Sequence, residues 1–143
     1  MNIDVHVEVD LSLFEKSILD IITALEVQTK LALLSSAYEV ESNAKMGFGP
    51  IHLKGTPKTD KVRPQSISGD LRRSIQFIGS GVRNTPLGTE ARVAPQMIYG
   101  RRVELGFPQG VHEYPYMYPA VMNAVPDILT YFTTNWQRAL SGA

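Results

Sequence analysis

The chain has 143 residues, of which 43% are hydrophobic, enough for one compact core and short of what two independent domains need, so a single domain over 1–143 is expected. Lys plus Arg number 14 and Asp plus Glu number 14, so no net charge draws the chain to nucleic acid or to a membrane surface. The absence of cysteine excludes a disulfide scaffold and a thiolate metal site, and fits assembly in a reducing cytoplasm.

The first residues carry Asp4, Glu8 and Asp10 where a secretory signal has basic residues and then an unbroken apolar run. Strict alternation of Ile3, Val5, Val7 and Val9 with Asp4, His6 and Glu8 predicts a half-buried strand. Asp10 and Ser12 then precede Phe14 and Glu15, and Ser12 with Glu15 has the spacing of a capping box. A helix is expected from there to about Lys45, since no glycine or proline intervenes before Gly47. Leu13, Ile18, Ile21, Ile22, Leu25, Leu31, Leu34 and Tyr38 recur along it at three- and four-residue steps. The apolar stretch from Ile18 to Leu34 is broken by Asp20, Glu26, Gln28 and Lys30, too polar for a bilayer span. A soluble protein is expected, with a helix so long that its stripe needs cover from a sheet and from a neighbouring copy.

Residues 47–67, dense in Gly, Pro, Lys and Thr, read as a long loop or extended arm. Beyond it, Ser68 to Arg73 reads as a capped helical turn, and Ser74 to Ser80 as a strand ending at Gly81. Thr89 to Ala94 and Tyr99 to Leu105 are further strand candidates, the second giving way at Gly106 to a Pro/Gly loop. Pro119 opens a last helix in its first turn, with Val121, Val125, Ile128, Leu129, Phe132 and Trp136 on one face and Pro126 as a kink or restart. The fold class expected is α+β: long N- and C-terminal helices packed on a small, mostly antiparallel sheet, with the arm extending from it.

Chemistry-bearing patterns are absent from the sequence. His6, His52 and His112 have no metal-ligand spacing, no GxSxG elbow occurs, and the GFGP at Gly47 lacks the helix and lysine of a phosphate loop. Neither a cofactor nor a metal is expected, and no enzyme. Glu104, beside Arg101 and Arg102, is expected in a structural ion pair, because adjacent guanidinium groups weaken a carboxylate as a base. Lys54, Lys58, Lys61 and Arg63 on the arm, with Arg72 and Arg73 just after it, form the clearest charge asymmetry. Contact with a neighbouring subunit is the preferred reading of that cluster. The alternative is a nucleic-acid-binding module using the basic segment 54–73, acting on duplex phosphates without base stacking. Tyr114, Tyr116 and Tyr118, interleaved with Pro115, Met117 and Pro119, suit a packing corner or a protein interface.

Three segments carry a family resemblance. Ser68-Gly69-Asp70-Leu71-Arg72-Arg73-Ser74-Ile75 resembles the TGxLrrSI signature of phage minor tail components, the head-tail joining or tail-completion proteins of long-tailed bacteriophages. Ile98 to Gly106 resembles the family's YAxxvEfGt strand, with Gly100 in place of a small Ala, and Tyr114 to Val121 resembles its pflrPAl lead into the last helix. The resemblance implies a structural virion protein, assembled in the bacterial host cytoplasm and placed at the head-to-tail junction as a tail-completion, tail-terminator or neck subunit. It further implies a homo-oligomeric ring, most simply a hexamer, whose partners are neck, connector and tail-tube proteins and duplex DNA passing through the lumen. Gly69 and Leu71 would then set a turn and a core anchor. Arg72, Arg73, Arg101, Arg102 and Glu104 would supply charged contacts within or between subunits.

Overall fold

The computed structural model describes residues 10–55, 57, 60–65, 68–86, 88–106 and 112–142. Helix α1 runs from Ser12 to Met46, 35 residues and about 52 Å at the α-helical rise. It starts without the expected capping box. The Asp10 carboxylate accepts the Ser12 N–H at 2.9 Å instead, and hydrogen bonds from the Ser12 hydroxyl and then its N–H lower the Asp10 pKa.

The large apolar residues expected to turn inward on α1 mostly do not: Leu13, Ile18, Ile22, Leu31 and Tyr38 are exposed, whereas Ala32, Ser36, Ala37, Val40 and Ala44 are buried. For Leu13, Leu31 and Tyr38 the reason is the partner helix, which takes the alanine face, whereas Ile18 and Ile22 lie on that face but beyond the partner's end. Helix α4, Met117–Ser141, lies antiparallel along α1, with Tyr131 O–H donating to Glu39 Oε2 and Trp136 Nε1–H donating to Thr29 Oγ1 at 2.9 Å. Its own buried residues are Ala120, Ala124 and Ala139. Alanine on both sides lets the axes come close, and the larger Trp136 reaches across the seam to Thr29. Pro119 sits in the first turn of α4 as expected, and the helix continues through Pro126 without restarting.

Between the two helices in sequence comes a hairpin of β1, Ile75–Thr85, and β2, Gly88–Pro95, paired antiparallel. Ile78 faces Arg92 but Arg83 faces Glu90, so β1 carries a bulge through Gly79–Gly81, where glycine tolerates the irregular backbone. The two strands form the whole sheet among the described residues, and α1 packs against both. The strand expected over Ile3–Val9 lies outside the described residues.

The strand expected over Tyr99–Leu105 is a correction: this segment is helix α3, Gly100–Leu105. A helical turn places Gly100 against the Pro95 ring, Val103 on the core and Glu104 at the start of α4, which strand alternation cannot do for consecutive residues. The short helix α2, Asp70–Ser74, opens on Gly69 in the left-handed region (φ 76°), a conformation that favours glycine. It presents Leu71, 3% exposed, to the core.

The core itself is small: Ala44, Phe48, Leu71, Ile75, Tyr116 and Ala120, with Val93, Met97, Val103 and Met117 around them. The described part of the arm has neither helix nor strand, and its base is closed by Gly49 N–H donating to the Pro64 carbonyl at 3.0 Å. No helix among the described residues is long and apolar enough to cross a membrane.

Candidate functional site

The three motif segments converge on one place. Leu71 and Ile75 from the first, Gly100, Val103 and Glu104 from the second, and Tyr116, Met117 and Ala120 from the third all meet around the Tyr116 ring. Tyr116 is 1% exposed, stacks at a tilt on Phe48 with centroids 4.9 Å apart, and donates its hydroxyl proton to the Gly100 carbonyl at 3.1 Å. Burial first, then the charges of Glu104 and Tyr99, push its phenol up to about 12. Tyr116 is therefore a core residue, the packing corner rather than the protein interface of the two readings its cluster allows.

Glu104 also differs from expectation. Its carboxylate accepts the backbone N–H groups of Tyr116 at 2.7 Å and of Met117 and Tyr118 at 2.9 Å, so it caps α4 from another helix. None of the ion pairs among the described residues joins it to Arg101 or Arg102. Tyr114 is half-buried, its N–H bonded to the Val103 carbonyl at 2.8 Å and its ring edge-on to His112, while Tyr118 is exposed.

The basic cluster lies at the surface and is partly paired. Lys54, Lys61, Arg63, Arg72, Arg73, Arg101 and Arg102 are all exposed, and Lys58 lies outside the described residues. Arg63 pairs with Asp60 at 2.6 Å, and Arg73 pairs with Asp70. Asp60 also accepts the N–H groups of Val62 and Arg63, and these bonds together with the Arg63 guanidinium hold its carboxyl down to about 2. Asp70 is lowered by the Ser68 hydroxyl and by Arg73. Two cations of the arm and its flank are thus locally compensated, which weakens a continuous phosphate-binding stripe.

A feature the sequence reading missed is an apolar groove. A depression of about 610 Å³ is lined by Leu33, Ala37 and Val40 of α1, Ile78 and Val93 of the hairpin, and Val121 and Phe132 of α4. A second, of about 420 Å³, is lined by Met97, Ile98, Arg101 and Leu105. The two share Ala94 and Met117 and so are neighbours on the surface. Ile98, on the second, is 94% exposed. The lining is mostly aliphatic and aromatic, with Ser36 and Arg92 in the first depression and Arg101 and Glu104 in the second, so the surface suits an apolar polypeptide. Among the described residues no group of His, Asp and Glu is arranged to hold a metal ion.

No protein-family model matches the chain, no curated protein matches it, and no solved structure matches it.

Proposed function

We propose that this chain is a structural subunit of a phage head-to-tail junction, of the tail-completion, terminator or neck kind, that works by assembling with copies of itself and with neighbouring particle proteins. The observation that carries the reading is the convergence of the three motif segments on Tyr116 and Glu104. Segments far apart in sequence serve one scaffold there, as expected of a family whose shared residues build a fold rather than a catalytic centre. The exposed apolar surfaces of α1 and of the groove support self-association, because a monomeric soluble protein rarely leaves contiguous patches of this kind bare. The ring and its hexameric order rest on the resemblance alone.

The test is removal of the coding gene from the particle that carries it. Filled heads and finished tails that fail to join are the expected result. Intact, infective particles would overturn the reading. Light scattering on the purified chain with duplex DNA separates the alternative: a stable monomer whose DNA binding falls steeply with salt would favour a nucleic-acid module.

A further inference from the structure

We infer that the first turns of α1 of one copy dock in the apolar groove of the next, giving a head-to-tail contact; this deepens the self-assembly proposed above and rests on it. Every residue from Asp10 to Asp20 is exposed. The pairing of Trp136 with Thr29 puts the end of α4 at about the level of Ala24, so roughly ten residues of α1, about 15 Å, extend past the end of its partner helix. The hairpin tip, Asn84 to Thr89, stops beside Ile22–Lys30.

The projecting part is not polar. Leu11, Phe14 and Ile18 continue, at steps of three and four, the same stripe that is covered further along at Ala32, Ser36 and Val40. Phe14 is 63% exposed and Leu13 beside it 75%. A core-type stripe that outruns its own domain needs another surface. The groove of the same chain cannot serve, because Ile18 and Leu33 sit on one helix without glycine or proline, about 22 Å apart along its axis. A second copy can bring the two together.

Charge favours this pairing over one between two projecting helices. The projecting turns carry Asp10, Glu15 and Asp20 against Lys16, so two of them side by side repel. The groove holds Arg92, which with Arg83 shares the single carboxylate of Glu90, and the neighbouring depression holds Arg101 beside Glu104, whose oxygens are taken by the α4 amides. An amphipathic helix in an apolar groove is a recurrent mode of recognition. Because the two surfaces differ, each added copy leaves one of each kind open, so the contact propagates until rotation closes a ring.

The cysteine-free chain allows a direct test. Full-length I18C and V121C variants are mixed under mild oxidation, alongside light scattering of the wild type and of F14D/I18D. The expected result is a mixed I18C–V121C disulfide dimer, no dimer from I18C alone, and at least a tenfold rise in the assembly Kd for F14D/I18D with unchanged helical circular dichroism. Disulfide dimers of I18C with itself would overturn the proposal in favour of paired projecting helices. An intramolecular disulfide in V5C/I18C would overturn it by giving the stripe to the chain's own first residues. A wild-type oligomer that F14D/I18D still forms overturns the groove contact alone. A wild type that stays monomeric at every concentration overturns self-assembly as well.

Discussion

The carboxylate of Glu104 accepts the backbone N–H of Tyr116 at 2.7 Å, so that α3 caps α4 across 12 residues of chain. A helix N-terminus leaves amides without internal partners, and α4 supplies no side-chain cap of its own. A carboxylate there also meets the positive end of the helix dipole. Glu104→Ala is expected to cost about 2 kcal/mol in urea unfolding, and Glu104→Gln, which keeps one acceptor oxygen, about half of that. Unchanged midpoints for both would mean that water serves these amides equally well.

Gly100 shows why the chain departs from the small Ala of the pattern it resembles. A Cβ at this position would lie 2.7 and 2.8 Å from the Pro95 ring carbons and 3.1 Å from the Tyr116 hydroxyl oxygen. Gly→Ala inside a helix ordinarily stabilises by about 1 kcal/mol. Here Gly100→Ala is expected to destabilise by about 1–3 kcal/mol through overpacking, and P95A/G100A to recover part of that loss. A stabilised G100A would mean that Pro95 yields freely and that the contact is not a constraint.

The Tyr116 phenol, held up to about 12 by burial and by the charges of Glu104 and Tyr99, makes a prediction at alkaline pH. The unfolded phenol titrates near 10.0, so the folded state prefers the protonated form; its contribution is complete below pH 10 and lost as pH rises through 12. Tyr116→Phe removes that contribution together with the hydrogen bond to Gly100. The variant should be less stable at pH 7, lose less stability than the wild type between pH 10 and 12, and lack the latest-titrating tyrosinate signal. A parallel pH dependence in the two proteins would place the high-pH transition elsewhere.

Much of this arrangement is legible from residue order, and the exceptions have physical causes. The bounds of α1 follow from the absence of glycine and proline before Gly47, and the hairpin from its β-prone runs. The orientation of the helices is less legible, because Leu13, Leu31 and Tyr38 look like core residues while Ala32, Ala37 and Ala44 look incidental; closeness of approach to α4 decides which are buried. The Tyr99–Leu105 segment is too short for periodicity to choose between strand and helix, and the choice is made by Glu104 reaching the amides of α4. For the same reason the arginines beside Glu104 suggest an ion pair, whereas the contacts its carboxylate makes among the described residues are with the amides of α4. The groove is illegible in advance because its walls come from α1, β1, β2 and α4, whose juxtaposition is tertiary.

Arg72 and Arg73 lie on α2, which packs against β2, the strand that walls the groove. Both are exposed, and the Arg73–Asp70 pair is open to solvent, where such pairs contribute about 0–1 kcal/mol. Charge reversal in R72E/R73E should therefore shift the unfolding midpoint by less than about 1 kcal/mol. If the pair contacts an acidic neighbour in the assembly, the same variant should assemble at least tenfold more weakly and fail to join tails to heads, because like charges at a subunit contact are costly and added salt screens them only in part. Normal unfolding together with normal assembly and normal joining would remove Arg72 and Arg73 from the interface. Loss of folding would instead mean that the pair supports the domain itself, through the Asp70 contact and the packing of α2.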